Sequence, residues 1–178
     1  VDAAKIGMAG NPDTISTIAA LLRQHKPAHI VLDPVLVAQS GDRLLSDESL
    51  QKMKTQLIPL ASVITPNIPE AEALLDKKFN GDMEQCALDL LQTGAQSVLL
   101  KGGHLKGKTS RDVYADAENM IVLEQPRIDT RNNHGTGCTL SSALAVYLAK
   151  GMTIENACRA AKTFVTEALR HADELKIG

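Results

Sequence analysis

Apolar residues fall along this chain in two patterns: short continuous runs, and longer stretches in which they return at helical spacing. The runs read as buried strands and the stretches as amphipathic helices. Val1-Asp2-Ala3-Ala4-Lys5-Ile6-Gly7-Met8 leads into a short buried strand. Asn11-Pro12-Asp13-Thr14 then carries helix-start chemistry, and Ile15, Ile18, Ala19, Leu21 and Leu22 line one face up to about Lys26. The run His29-Ile30-Val31-Leu32-Asp33-Pro34-Val35 predicts a second strand. Its proline stops the strand so that Asp33 stands at the carboxyl end. Gly41 and Asp42 mark a turn, and Ser46-Asp47-Glu48 opens a helix through about Leu57 with Leu50, Met53 and Leu57 on its buried side. Ala61 to Thr65 is another apolar run closed by a proline, followed by a short helix over Ala71 to Leu75 and a longer one from about Met83 to Gln92. Ser97 to Lys101 is a strand opening onto Gly102-Gly103-His104, Arg111 to Glu124 has hairpin alternation, and two helices come after it, about Thr139 to Lys150 and Ile154 to His171. Strands alternating with helices in this order predict an α/β fold, a mostly parallel sheet with helices on its faces.

Composition narrows the partners. The chain has 178 residues, the length of one sizeable domain, with 44% hydrophobic and 22% charged residues and a net charge of -2. That balance gives no electrostatic footprint for nucleic acid or for an anionic membrane, and with 2% aromatic residues and no Trp there are no stacking platforms for bases. Small molecules are the expected partners. No apolar run approaches membrane-spanning length. Cys86, Cys138 and Cys158 share no metal-ligand spacing and are odd in number, which points to a reducing compartment, the cytoplasm by default.

The densest chemistry lies in Asn132-Asn133-His134-Gly135-Thr136-Gly137-Cys138-Thr139, just ahead of the small-residue run Leu140 to Val146. Two glycines around a threonine before a helix converge backbone N–H groups at the positive end of a helix dipole, which is an anion site. Cys138, on the first turn, meets the same field, which favours a thiolate. A plain glycine turn with a small buried cysteine fits the same letters. Asp33 and Glu70 stand where a hard divalent cation can be held by one or two carboxylates, although, taken singly, a helix or turn cap explains Asp33 better and an exposed charge on a short helix explains Glu70 better. Lys101 ends a strand beside two glycines and can meet a phosphate as a point charge, or can simply be an edge lysine. Gly102-Gly103-His104-Leu105-Lys106-Gly107-Lys108-Thr109 satisfies the phosphate-binding loop formula, but Ser110 to Asp116 has turn and strand chemistry where that loop requires a helix. Lys106 and Lys108 therefore read as solvated loop lysines, and His104 and His134 receive no chemical role.

Asp33-Pro34-Val35-Leu36-Val37, Thr65-Pro66-Asn67-Ile68-Pro69-Glu70-Ala71-Glu72, Lys101-Gly102-Gly103-His104 and Asp129 to Ser141 together resemble the hydroxymethylpyrimidine/phosphomethylpyrimidine kinases of the ribokinase-like superfamily. The resemblance covers nearly the whole chain, with the motifs in family order. It implies a ribokinase-like fold and ATP- and Mg²⁺-dependent phosphorylation of a pyrimidine's hydroxymethyl group, then of the monophosphate, in thiamine biosynthesis. It implies Cys138 as catalytic base, with the amides of Gly135, Thr136 and Gly137 stabilising the transferring phosphoryl group. Asn67 and Glu70 match the Asn-x-x-Glu motif for phosphate and Mg²⁺, and Asp33 lies near the metal and the transferring phosphoryl group. Lys101, Gly102 and Gly103 lie along the nucleotide, and Met8 and Val35 fall where the family lines the pyrimidine pocket. Family members usually dimerise, so a homodimer is expected.

Most ribokinase relatives carry Asp after the Gly-Thr-Gly loop, so Cys138 points to the pyrimidine kinase branch or to a related bacterial pyridoxal kinase. The family's initial strand with its Gly-Gly-Ala-Gly loop, its β-lid and a Gly-rich tail after Lys176-Ile177-Gly178 have no counterpart. The expectation is an incomplete kinase domain over residues 1–178, with a nucleotide-binding module lacking activity as a further alternative. Asn133, where Thr is frequent, and Asp112 to Asp116 also depart from the family pattern.

Overall fold

The interior parallel strands bury both of their faces, and the alternation of side chains sorts them into two cores. Ile30, Leu32, Ile64, Val98 and Leu100 point to one side of the sheet, while Val31, Val63 and Leu99 point to the other. Residues covered on both faces need no polar alternation, which is why these strands read as continuous apolar runs. In the computed structural model, residues 1–36, 44–103, 105 and 107–172 are described. The turn expected at Gly41 and Asp42, together with Val37, His104, Lys106 and the tail Lys176-Ile177-Gly178, lies outside them.

Six strands form one sheet in chain order: β1 (Ala3–Ile6), β2 (His29–Leu32), β3 (Val63–Ile64), β4 (Ser97–Lys101), β5 (Thr109–Asp116) and β6 (Met120–Pro126). The first four are parallel, and β5 and β6 add antiparallel at one edge. On one face lie α1 (Pro12–His25), α2 (Asp47–Lys52), α3 (Ile68–Leu75) and α4 (Met83–Leu91), with residues such as Ile15, Met53, Leu74 and Leu90 in the core. On the other lie α5 (Thr136–Ala149) and α6 (Ile154–Arg170), burying Leu144, Leu148 and Ala161 over Val31, Val63 and Leu99. Each large side chain withdrawn from water contributes about 1.5–3 kcal/mol. Among the described residues, no helix is long and apolar enough to cross a membrane.

Three boundaries differ from the sequence reading. The helix expected through Leu57 is α-helical only to Lys52, then continues as a π-helical turn (Met53–Leu57) and a 3-10 turn (Ile58–Leu60), the latter with Pro59. Helix α3 starts at Ile68 instead of Ala71, because Asn67 caps it and Pro69 is tolerated in a first turn. Helix α5 starts at Thr136 instead of Thr139, so the Gly-Thr-Gly segment itself forms the first turn.

Candidate active site

Parallel strands bring their carboxyl ends to one edge, and the polar residues that close each run meet there. Asp33 follows β2, Thr65 follows β3, and Lys101 ends β4. The ladder continues past the strands: Asp33 N–H donates to Ile6 O at 2.9 Å, Thr65 N–H to Leu32 O at 2.9 Å and Lys101 N–H to Pro66 O at 2.8 Å. An isolated parallel bridge joins Asn67 to Lys101. These backbone bonds set the spacing of the side chains above them.

Asp33 is the centre of that edge. It is 1% exposed. Its Oδ1 accepts from Thr65 Oγ1 at 3.0 Å and from Lys101 Nζ at 2.9 Å, and its Oδ2 lies 3.1 Å from Ser141 Oγ and 3.9 Å from Lys5 Nζ. Burial by itself pushes a carboxyl upward, but the Lys101 ammonium, with Lys5 and Thr65, outweighs it and holds Asp33 below the usual carboxylate range. Asp33 is thus a buried carboxylate clamped between two ammonium groups. Ser141 Oγ also lies 3.1 Å from Gly137 O and 3.0 Å from Cys138 O, so this one hydroxyl ties Asp33 to the first turns of α5.

Glu70 is positioned by a capping box. Asn67 accepts from Glu70 N–H at 2.8 Å, and Glu70 Oε2 accepts in return from Asn67 N–H at 2.7 Å. Glu70 is 3% exposed, so it is no surface charge. Burial raises its carboxyl; Lys101 Nζ, 4.0 Å away, offsets this only in part and Asp33 adds repulsion, which together push it up to about 7. An ionised Glu70 therefore lacks a full counter-charge. That suits Mg²⁺, which is held by one or two carboxylates with waters and substrate phosphates and not by an all-protein cage. Among the described residues, no group of three or more His, Cys, Asp or Glu suited to a metal occurs.

The N-terminus of α5 completes the cluster. Gly135 sits at φ 77°, a left-handed conformation that side chains rarely adopt, and among the described residues no side chain caps the helix it begins. The first-turn N–H groups have no intrahelical partner and point outward at the positive end of the dipole. A Cβ built on Gly137 would lie 3.1 Å from Lys101 Nζ, which measures how closely this turn and the lysine approach. Cys138 is exposed on the same turn, whereas Cys86 and Cys158 are buried. Burial pushes the Cys86 thiol up to about 11 and raises that of Cys158 as well. Of the three cysteines, Cys138 is the one reachable from solvent, at the N-terminus of α5.

Gly102 explains itself by contact: a Cβ there would meet Arg111 O at 2.1 Å, and its N–H donates to Asp112 Oδ1 at 3.0 Å. Thr109 opens β5 and no helix follows Lys108, so the phosphate-loop formula is a coincidence of letters. Met8, 64% exposed just after β1, and half-buried Val35 after β2 rim the same edge. The sequence reading brought together Asp33, Asn67, Glu70, Lys101, Gly102, Gly103, Gly135, Thr136, Gly137 and Cys138, but gave no role to Lys5 or Ser141. Each had a signal. Lys5 is a charge inside an apolar strand, in phase with Ala3, and Ser141 is one turn beyond Gly137 on the same helix face.

The family model for phosphomethylpyrimidine kinase matches residues 1–178. The hydroxymethylpyrimidine/phosphomethylpyrimidine kinase of Rhizobium meliloti (strain 1021) is 45% identical over 181 residues, which cover 100% of this chain and 68% of that protein. Bacillus subtilis pyridoxal kinase, solved as an ADP complex, superposes with a TM-score of 0.87 at 41% identity, over 94% of this chain and 64% of its own. Phosphomethylpyrimidine kinase from Clostridium difficile 630 gives a TM-score of 0.82 at 39% identity, over 94% and 69%. The chain spans about two thirds of the length of these relatives.

Proposed function

The chain belongs to the phosphomethylpyrimidine kinase family, and from that premise we propose that the protein phosphorylates hydroxymethylpyrimidine, and then its monophosphate, from ATP in thiamine biosynthesis. The observation that carries the reading is the uncapped first turn of α5, with Cys138 exposed on it and Lys101 Nζ against Gly137. Cys138 accepts the proton of the substrate hydroxyl as its oxygen bonds to the γ-phosphorus and the bond from that phosphorus to the bridging oxygen breaks, releasing ADP. The amides of Gly135, Thr136 and Gly137 face the charge on the transferring group, and they gain strength from being fixed before reaction. Lys101, steadied by Asp33, adds a point charge, and Gly102 and Gly103 give the nucleotide a close backbone approach. Met8 and Val35 line the ring pocket.

Glu70, with Asn67 fixing its orientation and Asp33 behind Lys101, is the carboxylate that would hold Mg²⁺. When bound, the ion neutralises phosphate charge. The reading extends to a homodimer, carried by the family resemblance, and to the cytoplasm, carried by the three free cysteines.

Pyridoxal phosphorylation by the same residues is the second reading, favoured by the likeness to the Bacillus enzyme. ADP release by the full-length protein with Mg²⁺-ATP and each ring tests both readings. Turnover on the pyrimidine that Cys138→Ala loses by about 10²-fold or more is the expected result. Turnover confined to pyridoxal overturns the first reading, and undiminished turnover in Cys138→Ala overturns the assignment of the base.

A further inference from the structure

Gly103, Leu105 and Gly107, between β4 and β5, gather around a side chain from elsewhere in the chain. Arg127 follows β6, and its backbone N–H donates to Lys108 O at 2.9 Å, one step beyond the hairpin ladder. Its guanidinium turns into the loop. Nε donates to Gly107 O at 3.0 Å, Nη1 to Gly103 O at 2.9 Å, and Nη2 to Leu105 O at 2.6 Å and Thr109 O at 3.3 Å. Three carbonyls between β4 and β5, with that of Thr109 at the start of β5, therefore converge on one cation.

Carbonyl dipoles pointed at a common centre repel one another unless a cation stands between them. A guanidinium suits that place because it is permanently charged and carries five N–H donors in a rigid plane, whereas an ammonium has three donors around a point. The placement of Gly103, Leu105 and Gly107 is thus conditional on Arg127. The chain there is pinned from the other side, where Gly102 N–H meets Asp112 Oδ1 at 3.0 Å, one residue from the carbonyl that Arg127 holds.

We propose that Arg127 is a positioning residue for the adenine nucleotide, acting through the loop that begins at Gly102 and Gly103. This rests on the kinase reading, in which those glycines lie along the nucleotide. Arg127 is only half-buried, so its truncation leaves the two cores intact.

The test uses the full-length protein with Arg127→Ala and Arg127→Lys, reading ADP affinity by calorimetry, KM for ATP and for the pyrimidine, and melting temperature. ADP affinity falls and KM for ATP rises about tenfold in both variants, with kcat and KM for the pyrimidine within about twofold. Arg127→Lys does not rescue, and ethylguanidinium added to Arg127→Ala recovers part of the ADP affinity. If Arg127→Ala does not fold, Arg127→Lys must show the same split. Unchanged ADP affinity in either folded variant overturns the proposal, as does an equal loss for both substrates accompanied by a fall in melting temperature. A wild-type protein that binds no ADP overturns the kinase reading and this proposal with it, whereas a wild type that binds ADP beside an unaffected Arg127→Ala overturns this proposal alone.

Discussion

Helices α5 and α6 pack side by side on the same face of the sheet, yet they begin in opposite ways. Thr153 starts α6 in extended backbone, its hydroxyl accepts from Asn156 N–H, and Glu155 adds negative charge to the first turn. Gly135 starts α5 in left-handed backbone, with no side-chain cap among the described residues and no acid in the first turn. The comparison extends to the rest of the chain, where Asn11, Ser46, Asn67 and Asp82 cap α1, α2, α3 and α4. A helix that only packs satisfies its own first N–H groups, since a lost cap costs about 0.5–2 kcal/mol. Helix α5 leaves them open at the strand edge where Asp33, Glu70 and Lys101 collect, so its stability is given up where a ligand can restore it.

The largest expected effect comes from the residues beneath α5. Asp33→Ala leaves the ammonium groups of Lys101 and Lys5 without their shared carboxylate, and urea unfolding should register a loss of about 3–5 kcal/mol. Gly102→Ala forces a methyl group against Arg111 O, and about 1–3 kcal/mol of stability should go with a raised KM for ATP. Gly135→Val puts a β-branched residue into a left-handed conformation, costing about 1–3 kcal/mol in unfolding and a larger share of kcat than of stability. The smallest change falls on α6. Thr153→Ala should cost about 1 kcal/mol in unfolding and leave kcat and KM unaltered. If Gly135→Val and Thr153→Ala changed turnover equally, the contrast between the two helices would be structural only.

Much of this contrast is legible in the sequence. The apolar runs predict the parallel sheet, because strands buried on both faces need no polar alternation, and the prolines after Asp33 and Thr65 mark strand ends correctly. Boundaries are less legible. The Gly-Thr-Gly letters read as a loop, since two glycines weaken helix propensity, but packing of Leu140 and Leu144 carries the helix back to Thr136. Glu70 reads equally well as a surface charge, because its capping box fixes orientation without revealing that β4 and Lys101 cover it. Lys5, Ser141 and Arg127 act through partners distant in sequence: Ser141 meets a residue 108 positions away, and Arg127 reaches back 24 positions to Gly103. Local pattern does not carry pairings of that range.

The most direct test tracks backbone amide resonances of the ¹⁵N-labelled full-length protein as Mg²⁺-ADP and then aluminium fluoride, a mimic of the transferring phosphoryl group, are added. The amides of Gly135, Thr136 and Gly137 should shift strongly on the second addition, while those of Ile154 and Glu155 at the start of α6 stay in place. Silent α5 amides in a protein that has bound both additions, or equal shifts at the two helix starts, would contradict the account.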